Sequence, residues 1–237
     1  MKKIIFFDTE TTGNTENDFL VQLAYKHDEE TFNKLYKPDI KIPPEASAIH
    51  HITNKMVEDK PAFKESEDFQ NVKDLFEDEN SVVVAHNAPF DMMVMKKEDI
   101  TPKHFIDTLR LARHLDPEDK IERYNLQYLR YLLDLDVEAT AHDALGDVLV
   151  LEKLFERLKK KVMDEGLDEE GAIEKMIEIS SHPSIFHKLN FGKYKGKTID
   201  EVVSLDRGWL EWLLKEKEKS DVLDEDWIYT LKHYLTK

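Results

Sequence analysis

Asp8 and Glu10 are two residues apart at the end of an apolar run, Lys3 to Asp8, that reads as a buried strand. Alternation along a strand puts both carboxylates on one face. Side by side they repel each other unless a divalent cation sits between them. Hard cations such as Mg²⁺ take oxygen ligands and often combine few protein carboxylates with substrate phosphate. The alternative is a strand end running into the polar turn Thr11-Thr12-Gly13. Asp91 closes the segment His86-Asn87-Ala88-Pro89-Phe90-Asp91, directly after a second apolar run. An acid there suits the first turn of a helix, whose macrodipole favours negative charge. That account usually suffices, but parallel α/β sheets also place sites at the carboxyl ends of their strands. His142 and Asp147 bracket the start of a long helix. Five residues turn through about 140°, so the two converge only if His142 lies ahead of the helix. His142 then reaches across a cleft, Asp147 points into it, and Asp143 caps the helix. The alternative leaves His142 in a surface loop and Asp147 solvated.

These residues need a scaffold, and the hydropathy pattern supplies one. Asp18 to Lys26 and Thr31 to Lys37 alternate around a turn at His27 to Glu30, as a hairpin does. Ile42-Pro43-Pro44 reads as loop. Phe69, Val72, Leu75 and Phe76 fall at helical intervals within Ser66 to Phe76. Ser81 to Ala85 (SVVVA) is a β-branched strand, Pro89 opens a helix that continues over Phe90 to Lys97, and Phe105-Ile106 is a short strand. Helices are expected over Leu109 to Leu115 and Leu126 to Leu133. A longer one over Asp143 to Leu158 carries Leu145, Val148, Leu151, Phe155 and Leu158 on one face. Strands alternating with helices in this order predict an α/β domain with a mixed sheet.

Composition narrows the function. The chain has 237 residues, 41% hydrophobic and 10% aromatic, enough for a packed core and one or two domains. It has no cysteine, which excludes disulfides, zinc–thiolate sites and cysteine nucleophiles. No apolar run approaches the roughly 20 residues that span a bilayer, and the opening MKKIIFFDTE meets acid too early for a signal peptide. The expectation is a soluble, cytoplasmic protein without membrane contact. A net charge of −16 argues against loose phosphate binding over the whole surface. Nucleic acid, if bound, is bound locally or with metal ions offsetting the acid.

Taken together and in order, DTETTG, HNAPFD and HDALGD resemble the three motifs of the DEDDh superfamily of 3′→5′ exonucleases. Pro44-Glu45-Ala46-Ser47 through His50-His51-Ile52-Thr53 and Ile106-Asp107-Thr108-Leu109 add weaker likeness. The resemblance runs from about Ile4 to Leu158. The related tyrosine subclass would place its tyrosine at the position of Asp143, so the histidine subclass fits. The resemblance implies a ribonuclease H-like fold in which Asp8, Glu10, Asp91 and Asp147 bind two Mg²⁺ (or Mn²⁺) and His142 is the general base. It implies that the backbone around Thr11 and Thr12 holds a terminal 3′-hydroxyl, that Asn87 and Phe90 contact the last nucleotides, and that His50 lies near them. His51 departs from the glycine that many members carry there. The intact acid and histidine set argues against a non-enzymatic binding module.

After about residue 160 the texture changes. The expected division is an exonuclease domain over 1–161, an acidic linker over 162–171 and a small α+β C-terminal module over 172–237. Ala172 to Ile179, a stretch through Trp209, Trp212 and Leu213, and Asp226 to Leu235 read as helices. Lys188 to Lys197 (KLNFGKYKGK) is basic and free of acid in an acidic chain. Its lysines could neutralise phosphate and its rings stack bases, with Lys193, Tyr194, Lys195 and Lys197 as the contacts. The competing reading is a solvated hairpin whose rings fill a small core beside Trp209 and Trp212. FGKYKGKTIDEV and GWLEWLL are similar to the C-terminal domain of exodeoxyribonuclease X-like proteins. That likeness implies an exonuclease acting on DNA, at single-stranded 3′ ends in repair or turnover. A proofreading partner of a DNA polymerase and an RNA-trimming enzyme are the alternatives.

Overall fold

Strand β1 (Lys3–Thr11) lies at the centre of a five-stranded mixed sheet and decides what each face becomes. The computed structural model describes residues 2–137, 144–220 and 224–236. Strands β2 (Leu20–His27), β3 (Glu30–Leu35), β4 (Ser81–Ala85) and β5 (Phe105–Asp107) complete the order β3-β2-β1-β4-β5. The β1/β2 and β2/β3 pairs are antiparallel, and the β1/β4 and β4/β5 pairs are parallel. Ile5 and Phe7 of β1 and Val83 of β4 belong to one apolar cluster, whereas Phe6 and Val84 belong to another. This is the period-two pleat expressed as two cores, one on each side of the sheet.

The cluster around Ile5 and Phe7 is closed by α3 (Phe69–Glu77) and α4 (Ala88–Lys97), which contribute Val72, Phe76, Val94 and Met95. The cluster around Phe6 is closed by α5 (Thr108–His114), α6 (Leu126–Leu132) and α7 (Ala144–Met163). Val148, Leu151, Phe155 and Leu158 of α7 are buried against it, and the Phe155 ring meets Phe6 edge to face at 5.1 Å. The stripe expected on this helix is therefore the one that packs.

Two short helices, α1 (Pro44–His50) and α2 (Asn54–Val57), occupy the stretch expected to begin as loop. Pro44 takes the first helical position, where its missing N–H costs nothing. His51 ends α1 in the left-handed conformation, φ 61°, which explains why a glycine suits that position.

Packing also shifts the expected domain division. The proposed linker, 162–171, contains the end of α7, a turn and the start of α8 (Glu169–Ser180). Ala172, Ile173 and Met176 of α8 are buried in the cluster beneath α7, not in a separate core. We propose a division near Ser181. Beyond it, α9 (Ile199–Lys219) and α10 (Glu225–Leu235) enclose a second core of Leu189, Ile199, Val202, Leu210, Leu213, Trp227, Leu231 and Tyr234.

Candidate active site

β1 outruns its neighbour. Its last pairing with β4 is Phe6 with Val84, while β1 continues to Thr11 against β2. Asp8 and Glu10 lie on that overhang, on the α7 side that Phe6 defines. The β1/β2 register shifts between Glu10 and Thr11, an irregularity of the kind that re-aims side chains beside functional sites. Asp147, in the first turn of α7 and 9% exposed, comes up from the same side. One carboxylate oxygen from each of Asp8, Glu10 and Asp147 lies within 4.8 Å of the others. Three hard oxygen donors at that separation suit a divalent cation such as Mg²⁺, Mn²⁺ or Ca²⁺.

Asp91 is placed differently. It sits in the first turn of α4 and is buried, on the opposite side of β1. Its Oδ1 accepts the Thr9 backbone N–H at 3.1 Å and the Thr9 hydroxyl at 2.7 Å. It thus bonds the overhanging strand beyond the end of β4. Burial raises its pKa; the two Thr9 hydrogen bonds oppose the rise, and nearby Asp107 adds to it. Asp91 abuts the strand that carries Asp8 and Glu10 but is not one of the three whose oxygens converge. His142 and Asp143 lie outside the described residues.

The turn after β1 is built by side-chain hydrogen bonds. Thr11 and Thr12 are buried. The Thr11 hydroxyl donates to the Gly13 carbonyl, and the Thr12 hydroxyl donates to Asp18 Oδ1 at 2.8 Å while accepting from Phe19 N at 3.0 Å. Gly13 is required by close approach, because a Cβ there would lie 2.6 Å from the Asp18 carboxylate oxygens. His50 is buried; its Nδ1 accepts the Ile52 N–H at 3.0 Å, which leaves the proton on Nε2. Asn87 precedes α4 in the left-handed region, φ 72°, and its N–H donates to Asp107 Oδ1 at 3.0 Å. Phe90, in the first turn of α4, packs on the core and also borders a cavity of about 460 Å³.

In the C-terminal module the basic segment forms a turn. Gly192 has φ 68° and lies against the Trp209 ring. Phe191 and Tyr194 pack on the small core, and Tyr194 meets Trp209 edge to face at 5.2 Å. Lys193 Nζ and the Tyr194 hydroxyl both donate to Asp206 Oδ2 at 2.8 Å. Lys195 and Lys197 are exposed.

Two further groups carry no motif. Gln127 Nε2 on α6 donates to Asp147 Oδ1 at 2.5 Å, and Arg130 donates to Gln127 Oε1 at 3.3 Å. Arg110 on α5 is buried, faces Asp107 at 3.7 Å and donates to the Ser180 carbonyl at 2.7 Å. Burial lifts the Asp107 carboxyl to about 6, against the pull of Arg110. Neither group had a sequence signal, since Gln127 reaches Asp147 and Arg110 reaches Ser180, each distant in the chain.

An acid-bearing central strand facing an acid-bearing helix, over a mixed sheet of this order, defines a ribonuclease H-like nuclease. The family model described as Exonuclease (RNase T) matches residues 5–155, and that described as Exodeoxyribonuclease X-like C-terminal matches 189–218. The chain belongs to this exonuclease family, whose members generally use divalent metals. It is 33% identical to exodeoxyribonuclease 10 of Escherichia coli K12 over 85% of this chain and 83% of that protein. It is 36% identical to the DNA polymerase III subunit epsilon of Treponema pallidum over 63% of this chain and 73% of that protein. Among solved structures, exonuclease X in complex with 5′ overhanging duplex DNA superposes with a TM-score of 0.60 at 29% identity, covering 75% of this chain and 99% of that one.

Proposed function

We propose that this chain is a metal-dependent 3′→5′ exonuclease that removes nucleoside 5′-monophosphates from single-stranded 3′ ends of DNA. The observation that carries the reading is the convergence of Asp8, Glu10 and Asp147 oxygens within 4.8 Å at the end of the central strand. Asp8, Glu10 and Asp147 would hold two Mg²⁺ or Mn²⁺, with Asp91 completing the set from across the strand. Bound divalent cations supply Lewis acidity toward phosphate and a lowered pKa for water.

The remaining work falls to side chains. His142 accepts a proton from the attacking water, a task suited to an imidazole whose unperturbed pKa is near 6.5. The water oxygen bonds to the terminal phosphorus and the bond to the 3′-oxygen of the preceding nucleotide breaks. The Thr11–Thr12 backbone holds the terminal 3′-hydroxyl, and Asn87, Phe90 and His50 line the place of the last nucleotides. Lys195 and Lys197, with Lys193 and Tyr194 beside them, meet the strand farther off.

The E. coli relative named exodeoxyribonuclease 10 and the exonuclease X–DNA structure favour DNA as substrate. Likeness to polymerase III epsilon subunits supports a second reading, a proofreading partner of a polymerase. The match to an exodeoxyribonuclease X-like C-terminal region favours the self-contained enzyme.

The test uses 5′-labelled single-stranded DNA, duplex DNA and RNA with Mg²⁺, Mn²⁺ or chelator. Mononucleotide release from DNA that chelator abolishes is expected. Asp8→Asn should remove it, and His142→Ala should slow it by about 10²–10⁴-fold. Near-normal rates in both variants, or preference for RNA, would overturn the reading. Co-purification with a polymerase subunit would favour the second.

A further inference from the structure

The cavity of about 460 Å³ beside Phe90 has two walls from opposite ends of the chain. Asn87 and Phe90 form one; Phe186, Glu225 and Trp227 of the C-terminal module form the other, with Arg110 at the junction. The module is pinned in this place by charge. Arg110 reaches Glu225 at 2.5 Å and Asp226 at 3.2 Å, Arg113 also pairs with Asp226, and Ser184 N–H donates to Asp226 at 3.1 Å. Arg110 is buried and Asp226 nearly so, while Glu225 stays partly exposed, so the Arg110–Asp226 pair is the largely desolvated part of this contact between α5 and the first turn of α10. Arg110 also faces Asp107, whose Oδ1 holds the Asn87 N–H. The two walls therefore share one rigid frame.

We propose that the C-terminal module is the second wall of the substrate cleft, and that a nucleotide of single-stranded DNA just upstream of the terminal one passes between Phe90 and the Phe186–Trp227 pair. Three observations single out this occupant. The volume falls within the range of about 300–1,000 Å³ typical of ligand pockets. Aromatic rings stand on both sides, Phe90 on one and Phe186 tilted on Trp227 at 4.4 Å on the other, with the Arg113 guanidinium 4.5 Å over the Phe186 ring, so aromatic surface backed by a cation borders the passage, and contact of rings with bases is tolerant of sequence. The acids of the second wall are also matched by cations. Asp226 and Glu225 pair with arginines and Asp224 pairs with Lys217, so three cations offset most of the charge of Asp107, Asp224, Glu225 and Asp226, and a phosphate entering here meets far less repulsion than the net charge of the protein implies.

The proposal rests on Asp8, Glu10 and Asp147 being the hydrolytic centre, and its test separates the two. With the wild-type protein in Ca²⁺, an oligonucleotide carrying 5-iodouracil at the second or third position from its 3′ end is photo-cross-linked and the attachment mapped. Cross-links in residues 183–188 or 224–229 are expected; cross-links confined to other segments overturn the proposal. In Mg²⁺, Phe186→Ala should raise the ratio of KM for a hexanucleotide to KM for the 5′-p-nitrophenyl ester of thymidine monophosphate, which has no upstream nucleotide, roughly fivefold or more, the scale of one lost aromatic partner. A level ratio with folding intact overturns it. No hydrolysis of either substrate by the wild-type protein overturns the hydrolytic reading beneath. Failure of the wall alone shows as persistent hydrolysis with a level ratio and cross-links elsewhere.

Discussion

Gln127 shows how a side chain outside every motif can set the behaviour of one inside. Its amide donates to Asp147 Oδ1, and Arg130 anchors it from one turn further along α6 while also donating to the Val137 carbonyl. Partners that orient a ligating carboxylate typically account for about 10–100-fold in metal affinity. Gln127→Ala should therefore weaken Mn²⁺ binding about tenfold, measured by electron paramagnetic resonance titration, with the fold unchanged by circular dichroism. His86 is decided the same way, by its surroundings. Its Nδ1 lies 2.9 Å from the Thr108 hydroxyl and its Nε2 2.6 Å from the Tyr124 carbonyl, and burial pulls its pKa down to about 4. The unfolded chain would titrate near 6.5. Folding thus favours the neutral ring: its contribution is full above about pH 6.5 and is lost as pH falls toward 4. Urea unfolding should show stability dropping by up to about 2 kcal/mol between pH 7 and pH 5, a slope that His86→Gln flattens.

Among the elements, those with a strong local period were legible before the structure was known. SVVVA predicts β4 to the residue because β-branched runs have little alternative, and Asp8, Glu10 and Asp147 fall where expected, near the end of β1 and in the first turn of α7. What periodicity lacks is the identity of the partner. The apolar stripe of α8 reads as part of a C-terminal module, yet Ala172, Ile173 and Met176 complete the core beneath α7, because nothing in a stripe says which surface it meets. The basic segment could not be assigned its contacts from sequence for a related reason: Asp206, twelve and thirteen residues on, fastens Tyr194 and Lys193. Met176 is wholly buried in the exonuclease core. Met176→Ala should cost about 2–5 kcal/mol, read as a lower urea midpoint with unchanged slope and a parallel loss of nuclease stability. If α8 belonged to an independent module, the nuclease transition would stay where it is.

Taken as a whole, the molecule carries a net charge of −16 and brings Asp8, Glu10 and Asp147 together, which under the proposed function is where phosphate must arrive. The long-range field opposes a polyanion, so binding depends on the few contacts at the cleft and on cations held there, with Lys195 and Lys197 as exposed lysines of the module. This has a measurable consequence. Neutralising Z phosphates of a single strand makes log affinity fall with log salt at a slope of about −0.7Z, and proteins with broad basic faces lose about 10³–10⁵ between 50 and 200 mM. Two or three local contacts give a slope of about −1.4 to −2.1, hence a loss of only about 7- to 20-fold over that range. Fluorescence anisotropy of a 5′-labelled oligonucleotide, at constant Ca²⁺ and varied KCl, checks it. A slope steeper than about −5 would mean that the strand is gripped over a wide basic surface, which the charge of this chain and the paired acids along its cleft do not provide.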